Sequence, residues 1–127
     1  LTPIMGDAGY EAALRAVLED DAIDVAIVGC VPLTPALNTL SPAAGHQEDL
    51  TRDDGVAQRL RRLHAESGKA WVAVVDAGPL YDPMVEYLFT HGVPTFRTAD
   101  RALRLFDTYC RRRLAEPSAR RRDTDGP

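Results

Sequence analysis

Val25-Ala26-Ile27-Val28-Gly29-Cys30-Val31 is a short, continuous apolar run, as expected of a parallel β-strand covered on both faces. The chain on either side of it alternates between two periodicities. Before it, Asp7 to Asp20 reads as a helix, with Ala8, Ala12, Leu14, Val17 and Leu18 roughly on one face. Asp7 is placed to cap that helix by accepting a hydrogen bond from a free backbone N–H. After it comes a polar stretch, Leu33 to Leu50, with room for one short helical turn after Thr34. A strand-to-helix connection of that length is unusual, and such loops are often functional or mobile.

Further along, Thr51 to Ser67 reads as a helix with Val56, Leu60 and Leu63 inward, ended by Gly68. Trp71 to Val75 is a second buried strand, and Asp76-Ala77-Gly78-Pro79 a turn. Leu80 to His91 is a third helix with Met84, Val85, Leu88 and Phe89 as its apolar face, closed by Gly92. Val93 to Phe96 is a short strand. Thr98 to about Leu114 is a last helix, its stripe made of Ala102, Leu103, Leu105, Phe106 and Tyr109. Strands alternating with helices imply an α/β fold: a three-layer, flavodoxin-like (Rossmann-like) open parallel sheet with right-handed crossovers and helices on both faces. Residues 1–115 form this domain. Residues 116–127 read as a disordered arginine-rich tail, with nothing to bury. Three strands make a small sheet, to which residues 1–4 or sequence upstream of Leu1 would add another.

Bulk properties narrow the field. A chain of 127 residues, 45% hydrophobic and 27% charged, fits one soluble globular domain. No apolar run approaches the roughly 20 residues of a membrane helix. Two cysteines, Cys30 and Cys110, make no disulfide framework and no metal-ligand pattern, so a reducing, cytoplasmic setting is expected. Six arginines against three acids in residues 111–127 leave the body more acidic than the overall charge of −4, which argues against a nucleic-acid partner. The chain opens on Leu1, with no signal-peptide pattern after it, and reads as cut from a longer protein.

In an open parallel sheet ligands bind beyond the carboxyl ends of the strands. After the first strand, Thr34 suits an N-cap and Pro35 the first helical position. The free N–H groups of Ala36 and Leu37 would then form an anion site at a helix dipole of about +0.5 charge. A capped helix start without a ligand fits the same residues. After the second strand, Asp76 can hold a cation or simply bond turn amides, and Gly78 permits a tight turn. After the third, Arg97 can fork onto a phosphate or make an ordinary ion pair, and Thr98 caps a helix. Placement on one rim is the common element.

Other polar groups carry weaker signals. His46-Gln47-Glu48-Asp49, with Asp53 and Asp54, has the residue types of a metal site, but a solvated acidic loop before a helix start is commoner. His64 and His91 fall in the last turns of helices, which favours a cation without any catalytic role. Glycine-rich dinucleotide and P-loop motifs, a nucleophile elbow and zinc spacings are all absent from the sequence.

Several segments together carry a resemblance. Thr2-Pro3-Ile4-Met5-Gly6-Asp7, Tyr10-Glu11-Ala12-Ala13-Leu14, Leu18-Glu19-Asp20, Val25-Ala26-Ile27-Val28 and Pro32-Leu33-Thr34-Pro35 are followed by Lys69 to Gly78 and by Gly92-Val93-Pro94-Thr95-Phe96-Arg97-Thr98-Ala99-Asp100-Arg101-Ala102. In this order they resemble the small flavodoxin-like ligase domain of the NDP-forming acyl-CoA synthetases, the superfamily of succinyl-CoA synthetase. The likeness spans nearly all of residues 1–110. It implies an acid–thiol ligase in which acyl-CoA, phosphate and NDP give acid, CoA and NTP through an acyl phosphate and a phosphohistidine. It also implies partner domains or subunits that bind CoA, and ATP or ADP with Mg in an ATP-grasp fold. The domain resembled lies against the one bearing the histidine and offers it a helix N-terminus, which by position would start at Thr34.

Three features depart from the family pattern. The usual Asn-Pro-x-Asp lead-in would fall upstream of Leu1, the segment Leu40 to Leu50 is longer than in the commonest members, and His46, His64 and His91 all lack a phosphohistidine context. No catalytic or metal-binding residue is therefore assigned, and the chain alone is expected to be inactive. The alternative is a stand-alone flavodoxin-like or receiver-like module for small-molecule binding or interaction. Asp76 invites the receiver comparison, but no acidic pair follows the first strand, and Pro32-Leu33-Thr34-Pro35 is a poor phosphate loop for a flavodoxin.

Overall fold

A computed structural model describes residues 5–115. The arginine-rich 116–127, read as disordered, and residues 1–4, read as a source of a short strand, lie outside the described residues. In chain order the elements are α1 (Asp7–Glu19), β1 (Val25–Cys30), α2 (Val56–Glu66), β2 (Ala70–Val75), a 3-10 turn (Pro79–Tyr81), α3 (Asp82–Thr90), β3 (Thr95–Phe96) and α4 (Ala99–Ala115). The three strands form one sheet in the order β1-β2-β3, parallel throughout, with Val25 opposite Ala70 and Ala73 opposite Thr95.

Residue alternation along the strands sorts the core into two layers. On one face Ala26, Val28 and Cys30 of β1 and Trp71, Ala73 and Val75 of β2 meet Leu14 and Leu18 of α1, Leu60 and Leu63 of α2, and Met84 and Leu88 of α3. On the other, Val72 and Val74 meet Ala102 and Phe106 of α4, with Val25, Ala70 and Phe96 packed alongside. The architecture is therefore α/β with an open three-stranded parallel sheet and helices on both faces, distributed three to one.

Element ends differ from the sequence reading for identifiable reasons. The helix expected from Thr51 starts at Val56. Asp49 accepts the Thr51 N–H and hydroxyl at 2.8 and 2.6 Å, and Arg52 pairs with Asp54 at 3.0 Å, so local side-chain bonds hold 51–55 in turns. The helix expected from Leu80 begins at Asp82 because Pro83, lacking an N–H, fits only its first turn. Pro94 likewise keeps Val93-Pro94 out of β3, though its carbonyl still accepts the Ala73 N–H at 2.9 Å. Gly92 closes α3 as expected, at φ +86° with the Val93 N–H reaching back to the Leu88 carbonyl. Gly68 has no such role, since α2 ends with Ser67 in extended backbone.

Apolar stripes also bury less than their composition implies. Ala8, Ala12 and Val17 of α1, Phe89 of α3, and Leu103, Leu105 and Tyr109 of α4 are exposed. The largest departure is β1. Covered on both faces in the sequence reading, it is fully covered on one; toward α4 only Val25 is half-buried, and Ile27 and Gly29 are exposed among the described residues.

Candidate functional site

Because every strand runs the same way, the connections after β1, β2 and β3 all leave from one rim of the sheet. The connections that carry Thr34 and Ala36, Asp76 and Gly78, and Arg97 and Thr98 therefore start from that rim. What they do there differs from the expectation at several points.

No helix starts at Thr34. Residues 34–37 make a single turn, in which the Thr34 hydroxyl accepts the Ala36 N–H and the Thr34 carbonyl the Leu37 N–H, both at 3.3 Å. The next two amides, which a helix would need, are taken by carboxylates from elsewhere. Asp7 accepts the Asn38 N–H at 3.0 Å and Glu48 the Thr39 N–H at 3.2 Å. The Ala36 amide is thus already satisfied, and no macrodipole stands behind it.

Asp7 is the centre of this corner. Its Oδ1 also accepts the Val56 N–H at the start of α2 at 2.7 Å, while Oδ2 accepts from the Asn38 side chain at 2.9 Å. It therefore caps α2, whose N-cap Gly55 has no side chain to do so, and not its own helix α1. The helix N-terminus nearest the first loop is filled by an internal anion. Beside it the Cys30 thiol, fully buried and near the Asp7 charge, is pushed up to about 12, first by burial. It is an inert core group.

The loop between β1 and α2 is knitted, with Leu37, Leu40 and Leu50 in the core. Buried Thr39 donates its hydroxyl to Glu48 at 2.8 Å, and the Leu50 N–H meets the Leu40 carbonyl at 2.7 Å. Thr51 holds the Asp49 carboxyl below its ordinary range. Of the acids read as a solvated loop, Glu48, Asp49 and Asp54 bond to Thr39, Thr51 and Arg52 nearby in the chain, and among the described residues no group of three or more His, Cys, Asp or Glu is arranged for an ion.

Around the other two strand ends Arg97 acts as a tie. Its guanidinium donates to the carbonyls of Ala77 and Gly78, the latter at 3.0 Å, and pairs with Asp82 at 2.9 Å. It joins the loops after β2 and β3 and is not held out toward a ligand. Gly78 sits at φ −69°, open to any residue, so no glycine is required there. Asp76 is exposed and caps neither the 3-10 turn nor α3. The Thr98 hydroxyl bonds Asp100, the main reason that carboxyl lies below its usual range. The connections after β1 and β2 also carry exposed apolar side chains that the sequence reading passed over: Leu33 at 71%, Leu80 at 66% and Val31 at 53% exposure. Their signal was an apolar residue next to proline just past a strand end.

Away from the rim, His64 packs edge-on against Trp71 at 5.1 Å, and burial lowers its pKa, which favours the neutral ring over the cation expected at a helix end. The His91 ring stacks on Tyr87 at 4.1 Å.

Comparison with family models, with curated proteins and with solved structures found no match. Among the described residues no helix is long and apolar enough to cross a membrane.

Proposed function

We propose that this chain is the small flavodoxin-like ligase domain of an NDP-forming acyl-CoA synthetase, and that its strand-end rim is a docking surface for the domain that carries the phosphorylated histidine. The residue order from Thr2 to Ala102 supports the family reading. One structural observation supports the docking role: Arg97 is tied to Ala77, Gly78 and Asp82, while Val31, Leu33 and Leu80, in the connections that leave the same rim, are exposed. Exposed apolar side chains at a strand-end rim are what an interdomain contact needs.

On this reading the domain contributes no catalytic side chain. The original expectation of a helix dipole at Thr34 is replaced by a smaller contribution: the Thr34 hydroxyl and the exposed Asp76, Gly78 and Thr98 meet polar atoms of the neighbour, and Arg97 keeps two of the loops in register. CoA, and ATP or ADP with Mg, would bind on the other domains of the parent enzyme, as the resemblance implies.

The test uses the protein of the full reading frame, supplied with a panel of acyl-CoA thioesters, phosphate, Mg and ADP or GDP, with free thiol and NTP as readouts. Matched release of CoA and NTP is expected, and none from the 127-residue chain alone. Replacing Leu33 and Leu80 together by Lys should lower turnover at least tenfold without lowering the melting temperature. Absence of NTP with every thioester, or turnover by the 127-residue chain, contradicts the proposal.

A further inference from the structure

The basic side chains of the chain are nearly all of one kind: fourteen arginines against a single lysine, Lys69. The two carry the same charge but differ in chemistry. An amine that sheds its proton exposes a lone pair and attacks activated carbonyl groups, whereas a guanidinium stays protonated and does not. Where the two kinds sit on the sheet gives the composition its meaning.

Among the described residues, the Lys or Arg positions nearest the strand-end rim are Arg52 in the connection after β1, Arg97 after β3 and Arg101 in the first turn of α4. The helices α2, α3 and α4 all start at this rim, because each follows a strand of one parallel sheet. A helix start disfavours positive charge. A lysine in one of those first turns would therefore shed its proton more readily and be a better nucleophile. Arginine supplies the charge without that reactivity.

Lys69 is at the other end. It directly precedes β2 (Ala70–Val75), so it lies at the amino ends of the strands, away from the rim. Its ammonium donates to the Asp20 carbonyl at 2.6 Å, just past the end of α1, and Glu19 and Glu66 line the groove beside it. Attack by this nitrogen requires that hydrogen bond to break and a proton to leave.

We propose that the domain is arranged to withstand acylation by an acyl phosphate handled at its rim: the rim carries arginine alone, and the one side-chain amine of the chain is placed at the far end and tied down. The inference rests on the ligase reading for its acyl donor. The reaction avoided is amide formation, in which the amine nitrogen attacks the acyl carbonyl, phosphate leaves and the amine's proton passes to water.

Arg101→Lys, at an exposed position, tests this in two settings. In the first, the 127-residue variant is incubated with acetyl phosphate and its peptides are followed by mass spectrometry. The introduced amine should be acetylated at least about tenfold faster than Lys69, which must first give up a hydrogen bond and does not stand at a helix start. In the second, the same substitution in the protein of the full reading frame should gain an acyl group at position 101 during turnover of acyl-CoA, phosphate, Mg and ADP. Equal acetylation of the two amines overturns the proposal, and so does NTP formation that leaves position 101 unmodified. A parent protein that forms no NTP removes the ligase reading, and this proposal with it.

Discussion

The layer of α1, α2 and α3 buries each residue that β1 turns toward it, whereas on the opposite face α4 covers β2 and leaves Ile27 exposed. The first face is held by interlocking apolar side chains and by long-range hydrogen bonds at its rim. Asp7 reaches 31 and 49 residues along the chain to bind Asn38 and Val56. The second has one helix and apolar side chains open to water. The difference separates the face that holds the fold together from one that the described residues leave partly exposed.

Substitutions can break or sharpen that contrast. The largest effect is expected on the filled face, where Leu60→Ala, at a fully buried position, should cost about 3 kcal/mol in urea unfolding. Asp7→Ala removes the acceptor of three hydrogen bonds and should cost about 2 kcal/mol, with the start of α2 exchanging its amide protons faster. Thr39→Val deprives Glu48 of a buried donor and should cost about 1 kcal/mol. On the bare side, Leu103→Ala at 59% exposure should change stability by no more than about 0.5 kcal/mol. Equal costs for Leu60 and Leu103 would erase the distinction.

Acidity gives a smaller, signed effect. His64 has its pKa lowered below 6.5 by burial, so the unfolded chain binds its proton first as pH falls. Its contribution is complete above pH 6.5 and declines as pH drops toward the lowered value. Thermal melts between pH 8 and 5 should therefore fall less steeply for His64→Gln than for the parent chain.

Much of this was legible in the sequence. The two apolar runs gave β1 and β2, and 3.6-residue periodicity gave four helices, because those signals are local. The lack of a helix at Thr34 was not, because Thr34 and Pro35 fit every local rule for a helix start. Carboxylates at positions 7 and 48 decide the fate of the Asn38 and Thr39 amides, and no window around Thr34 contains either one. The rim itself followed from strand order, but Arg97 turning inward to Ala77 and Gly78 depended on a tertiary contact. In β1 the sequence reading and the described structure differ most: the run reads as covered on both faces, and the described residues fully cover one.

The most direct test of the docking rim is the thiol-labelling rate of Leu33→Cys in a Cys110→Ser background. Cys30, buried and with its thiol pushed up to about 12, will not compete for reagent. Labelling at least 100-fold slower in the protein of the full reading frame than in the 127-residue chain is the predicted result. Equal rates in the two would mean that nothing covers the rim at Leu33, and would contradict the account.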